Sequence, residues 1–281
     1  MKLLRTLPFV LLIATTLFTS CKNEDKKKET ETKDTEMKEP KLKEQMVPYV
    51  LDSTRRSNFI VYDENIEGKR PVVFVIHEWW GLNDYAKMRA RELAKLGYIA
   101  MAIDMYGDGK MGTDPKIAGE LSGPFYANPG SIKPIYAAAL SSIKEFSQAD
   151  TAKIGAIGYC FGGAMVLNLA KLGEDLKGVV SFHGNLNVVR ANKDLLKAKI
   201  LVCHGAADEF VPMTEVDQFK KQMDSIGASY TVKIYDGATH AFTNPEATAA
   251  GEKFKLPIKY NAAADSASWK EMKDFLRQVF Q

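Results

Sequence analysis

Six short stretches of this chain are almost continuously apolar: PVVFVIHE (71–78), YIAMAID (98–104), KIGAIGYC (153–160), LKGVVSFHG (176–184), AKILVCHG (198–205) and YTVKIYDG (230–237). A strand with one face in water carries polar residues at every second position. These stretches do not, so both of their faces are expected to be covered. The segments 83–96, 133–146, 161–171, 214–226 and 266–280 instead repeat apolar residues at helical spacing. Buried strands that alternate with helices predict an α/β fold, a mostly parallel sheet with helices on both faces. Ahead of it, VPYVLDS and SNFIVYDE flank Thr54-Arg55-Arg56 and read as an antiparallel hairpin leading into the sheet. No internal repeat is visible.

The first twenty residues follow a different pattern. Lys2 and Arg5 precede an apolar run from Leu7 to Leu17, and small residues follow before Cys21. The run is shorter than the ~20 residues that span a bilayer, so 1–20 reads as a signal peptide rather than an anchor. A cysteine at that junction is similar to the acylated cysteine of a bacterial lipoprotein, although Phe18 is bulkier than usual there. Residues 21–45 are then a lipidated Cys21 and a charged tether, with the folded domain at 46–281. Positions 22–45 hold eight lysines against eight acidic residues and no aromatic. Such a segment cannot bury enough apolar surface to order itself. As a coil it reaches ~27 Å, and fully extended ~80 Å. The expected location is the bacterial cell envelope, lipid-anchored in the periplasm or at the outer membrane.

Charge adds little to this. The net +3 becomes +1 (3 − 2) when Lys2 and Arg5 leave with the signal, and the mixed charge of 22–45 argues against a polybasic patch for nucleic acid, so no nucleic-acid partner is expected. A monomer is expected. Besides Cys21 only Cys160 and Cys203 remain, too few for a disulfide framework, and each ends its own expected strand. The four histidines lack metal-ligand spacing, and neither a Gly-rich dinucleotide motif nor a phosphate loop is present. No metal and no cofactor are expected.

In open α/β sheets chemistry gathers at the carboxyl ends of strands. Glu78, Asp104, Cys160, His183, His204 and Asp208 all fall there. The most informative stretch is Gly158-Tyr159-Cys160-Phe161-Gly162-Gly163, between an expected strand and an expected helix. A side chain pushed out on so tight a turn crowds the residues two before and two after it, and glycine relieves the crowding. The turn aims the N–H of Phe161 at whatever Cys160 attacks, and the helix N-terminus favours a thiolate. A buried structural cysteine on a Gly-rich turn is the plainer alternative.

A thiol nucleophile needs a base, and the base an orienting acid. His240 lies in a loop after the last expected strand. Asp208 follows the strand ending near Cys203, giving the order nucleophile, acid, histidine of α/β-hydrolases. Asp236 is nearer to His240 in sequence but belongs to a strand or its turn. His183 and His204 each precede a glycine at a strand end and are expected to make local backbone bonds.

The segments VIHEWWGLN (75–83), AIDMYGDG (102–109), IGYCFGGAM (157–165), HGAADEFVP (204–212) and HAFTNP (240–245) make the chain from about 47 to 280 resemble dienelactone hydrolases. The resemblance implies an α/β-hydrolase fold of about eight strands and a Cys160–His240–Asp208 triad. It also implies that Glu78 contacts the resting thiol and is displaced by substrate, helping to generate the thiolate. Trp79 would supply the second oxyanion N–H beside that of Phe161, with Trp79 and Trp80 near the pocket. In the family two arginines grip the carboxylate of an anionic lactone. Their places here are Asp108 and Asn244, so that grip cannot form, and Lys110 is a weak substitute.

The expected activity is cleavage of another small ester or lactone, through a thioester acyl-enzyme that water hydrolyses. An acyltransferase with the same triad, and a hydrolase-shaped lipoprotein with an idle site, are the rival readings.

Overall fold

The computed structural model describes residues 39–281. The expected signal peptide, Cys21 and most of the tether therefore lie outside the described residues. The eight strands are β1 (Leu42–Leu51), β2 (Thr54–Asp63), β3 (Arg70–Ile76), β4 (Ile99–Ile103), β5 (Ala149–Tyr159), β6 (Gly178–Phe182), β7 (Lys199–Gly205) and β8 (Tyr230–Tyr235). They form one sheet in the order β1-β2-β4-β3-β5-β6-β7-β8. β1 pairs antiparallel with β2, and β2 with β4, while every pair from β4 to β8 is parallel.

The helices are α1 (Asp84–Lys95), α2 (Pro115–Ala127), α3 (Ile132–Lys144), α4 (Phe161–Lys171), α5 (Met213–Ser225), α6 (Ala247–Phe254) and α7 (Ala262–Val279). Two apolar layers result. Val72, Phe74 and Ile76 of β3 pack with residues of α3, α4 and α5 on one face. Val73 and Val75 pack with residues of α1 and α7 on the other. This is why β3 has no polar side chain at alternate positions. α4 is buried on every side, consistent with its FGGAMVLNLA sequence, in which Asn168 is the one polar side chain.

One boundary and two helices differ from the sequence expectation. β1 begins at Leu42, so Leu42–Gln45 belong to the sheet and not to the tether. Lys43 and Glu44 are exposed on this edge strand, where charged side chains are compatible with pairing and discourage further association. Composition therefore extended the tether too far. The helices α2 and α6 were also unexpected. Gly119, Gly123 and Pro124 interrupt the helical pattern of α2, yet Asp114 caps it by accepting from Ile117 N at 3.0 Å, and Pro115 opens it.

Candidate active site

Four loops at the carboxyl ends of β3, β5, β7 and β8 carry Glu78, Cys160, Asp208 and His240. Cys160 stands between β5 and α4 with φ 53° and ψ −114°. An L-residue held at such a backbone costs ~1–3 kcal/mol unless its surroundings enforce it. Here they do. A Cβ on Gly158 would overlap the carbonyl oxygen of Gly162, and one on Gly162 would overlap that of Ile76 at the end of β3. The backbone N–H of Cys160 is shared between Phe182 O (2.9 Å) and His183 Nδ1 (3.1 Å). Phe161 is the first helical residue, so its N–H has no acceptor within α4.

His240 and Asp208 are joined by a 2.9 Å bond from Nδ1 to Oδ2. The other carboxylate oxygen, Oδ1, accepts from the backbone N–H groups of Phe210 (2.9 Å) and Val211 (3.0 Å). With Nδ1 occupied by the acid, the opposite ring nitrogen is left for Cys160, which lines the same cavity. Burial lowers the His240 pKa, but the charge on Cys160 and the bond to Asp208 outweigh it and carry the value to about 10.

Glu78 is almost fully buried, and burial pushes its carboxyl up to about 7 against the pull of Asn244 and His240. Its partner is not the expected one. Glu78 Oε2 accepts from Asn244 Nδ2 at 2.6 Å, and among the described residues no hydrogen bond joins Glu78 to Cys160. Asn244 comes to this carboxylate from the His240 loop. Trp79 follows directly, its carbonyl held by Tyr106 Oη at 3.0 Å. His77 is buried beneath this loop, with Met105 N donating to its Nε2 at 3.4 Å and its Nδ1 against Glu78 O.

Cys160, His240, Glu78, Trp79 and Trp80 line one cavity of about 300 Å³. Tyr126, Phe210, Leu256 and Ile258 complete much of its wall, and none of the residues around it is lysine or arginine. Trp80 is thus a wall residue, stacked on Phe254. Asp108 does not reach this cavity; it accepts from Arg55 N at 3.1 Å, and with Lys110 it lines a separate one.

His183 is tied to the backbone of Cys160, and also to Thr243 Oγ1 at 2.7 Å. Thr243 meets Tyr85 Oη at 2.7 Å, and Arg89 extends this buried chain to Thr243 O. Burial, with neighbouring positive charge, holds His183 well below the ordinary range, so it is neutral and accepts through Nδ1. Neither ring nitrogen of buried His204 has a partner. Sequence reasoning missed Thr243, Tyr85 and Arg89 because a buried polar chain has no period. Tyr126 was missed because α2 was. Asn185 and Phe210 sit just after residues already singled out, a signal that was present.

A family model described as the dienelactone hydrolase family matches residues 58–280. Among curated relatives, Protein usf of Aquifex pyrophilus is 32% identical over 179 residues, 62% of this chain and 77% of the relative. The crystal structure of the dienelactone hydrolase-like promiscuous phosphotriesterase P91, from metagenomic libraries, superposes with a TM-score of 0.79 at 32% identity, covering 85% of this chain and 99% of that one. The propionate-bound esterase Est2 of Thermogutta terrifontis shares the fold at 14% identity, with a TM-score of 0.57 over 87% of this chain and 96% of that one.

Proposed function

The chain belongs to the dienelactone hydrolase family and is a carboxylic ester hydrolase; within that activity we propose that Cys160 is the nucleophile and that a thioester is the intermediate. One observation carries this reading. Cys160 stands on a positive-φ turn and lines the same cavity as His240, whose ring Asp208 orients. The sulfur attacks the ester or lactone carbonyl, and its proton rests on His240. The N–H groups of Phe161 and Trp79 hold the oxyanion, each worth ~10²–10³ in rate. The C–O bond breaks as His240 returns the proton to the leaving alcohol. Water, deprotonated by His240, then cleaves the thioester and restores the thiol. Glu78 is a buried carboxylate beside this centre, and substrate binding changes its environment and assists thiolate formation.

The absence of lysine and arginine from the cavity lining supports a neutral acyl substrate over an anionic lactone. We also propose that Cys21 is lipidated and tethers the enzyme to the bacterial envelope, on the sequence pattern at 1–21. No helix among the described residues is long and apolar enough to cross a membrane.

The test is turnover of p-nitrophenyl butyrate by the wild type, by Cys160→Ala, and after iodoacetamide treatment. Loss of turnover in both treated forms, with an acylated Cys160 peptide trapped by rapid acid quench, is expected. Turnover that survives in Cys160→Ala would defeat the nucleophile assignment. Release of the acyl group to an added alcohol rather than water would mark a transferase.

A further inference from the structure

A second and larger cavity, of about 650 Å³, adjoins the first, and Tyr126 and Asn185 belong to both. Tyr126 Oη donates to Asn185 Oδ1 at 3.2 Å, so this bond stands at the boundary. Beyond it the lining changes character. Where the cavity at Cys160 is walled by Trp79, Trp80, Phe210, Leu256 and Ile258, this one presents Asn187, Thr214, Glu215 and Gln218 beside Val188 and Pro212.

Two of these polar groups have capacity left over, while Asn187 is held in place by its Nδ2, which donates to Glu215 O at 2.9 Å. Asn185 uses its carbonyl for Tyr126, and its amide N–H groups meet no acceptor among the described residues. Glu215 Oε1 accepts from the backbone N–H groups of Leu186 (2.6 Å) and Asn187 (3.3 Å), which fixes the loop after β6 to α5 and leaves Oε2 outside those bonds. A cavity with unspent donors and acceptors at fixed positions matches a ligand carrying both kinds of group.

Charge narrows the class. Among the described residues no lysine or arginine lines the cavity, and its one carboxylate is that of Glu215. An anion is disfavoured there. A cation would find one half-used carboxylate and a single aromatic ring, short of an aromatic cage. Neutral hydroxyl groups fit, since each donates one hydrogen bond and accepts others, and paired amide groups can serve neighbouring hydroxyls.

We propose that this cavity is the subsite for the alcohol portion of the substrate, and that the alcohol is polyhydroxylated, as in an acylated sugar or polyol. The inference rests on the Cys160 reading above. The apolar acyl group occupies the cavity at the nucleophile, and the hydroxyl-rich portion lies past Tyr126 and Asn185. When the C–O bond breaks, the alcohol takes its proton from His240 and departs through the open side of the second cavity, leaving the thioester dry on its apolar side.

The experiment compares kcat/KM for a 6-O-butyryl ester of methyl glucoside with that for ethyl butyrate, using the wild type and the Thr214→Val/Gln218→Leu double variant. Both positions are exposed on α5, so the fold tolerates them. The wild type is expected to favour the glucoside ester by about tenfold or more, and the double variant to lose about tenfold of that ratio, the worth of a few ordinary hydrogen bonds. Turnover of both esters with a ratio near one, or a ratio the double variant leaves in place, overturns the subsite. Turnover of neither ester by the wild type, nor of p-nitrophenyl butyrate, instead overturns the hydrolase reading beneath it.

Discussion

Asn244 donates its side-chain N–H to Glu78 Oε2 at 2.6 Å, so the buried carboxylate next to the nucleophile is held by a neutral amide. A cationic partner would have kept that carboxyl ionised. With an amide, burial prevails and the group titrates near neutrality, at about 7.

That shift has a sign in stability. Glu78 binds its proton more tightly folded than unfolded, where its ordinary value is 4.5. Its contribution to stability is therefore complete below pH 4.5 and is lost as the pH rises through about 7. Glu78→Gln removes the titration. The variant is expected to be more stable than the wild type at pH 8, by on the order of 3 kcal/mol, and to lose that advantage towards pH 4.5. Urea unfolding at the two pH values measures it, and a pH-independent difference would remove Glu78 as the titrating group.

Asp208→Asn keeps the shape of the acid but not its charge. His240 then loses the partner that orients its ring and supports its cationic form. A fall in kcat/KM of ~10³–10⁴ at pH 7.5 is expected, by analogy with other triads. A fall below about tenfold, with the fold intact by circular dichroism, would mean that Asp208 is not the orienting acid.

Thr243→Val removes one hydroxyl that serves two buried groups, Tyr85 Oη and His183 Nε2. Tyr85 Oη keeps the bond from Arg89 Nε at 3.4 Å, whereas His183 Nε2 is left unpaired, which costs ~1–3 kcal/mol. The melting temperature is expected to drop by roughly 2–12 °C for a domain of this size, and Thr243→Ser is expected to restore most of it. Equal melting of the valine and serine variants would show that the chain from Cys160 N to Arg89 contributes nothing measurable.

Asp108→Arg restores the charge the family carries at that place in sequence. Because Asp108 bonds to Arg55 N and lines another cavity, the new guanidinium is not expected to improve hydrolysis of a carboxylate-bearing lactone. A gain in kcat/KM of tenfold on such a lactone would show that the loop after β4 moves to the substrate.

Much of the site was legible because it is built from local necessities. Cys160 could be singled out from its flanking glycines, since the crowding that demands them acts over two residues on either side. Asp208 and His240 followed from the rule that chemistry collects at strand ends, together with their order along the chain. The partner of Glu78 was not legible, because Asn244 is 166 residues away and reaches it only when the loop after β8 folds over that after β3. The same holds for the chain from His183 to Arg89, whose members lie after β6, after β8 and on α1.

The amino-acid sequence by itself determined the layered sheet, the turn that exposes Cys160, and the set of candidate acids and bases, for hydrophobic period and local sterics need no distant neighbour. Only the tertiary structure decided which carboxylate meets His240, which amide holds Glu78, and how an apolar cavity joins a polar one at Tyr126 and Asn185. Those are contacts between segments far apart in the chain, and only chain packing selects them.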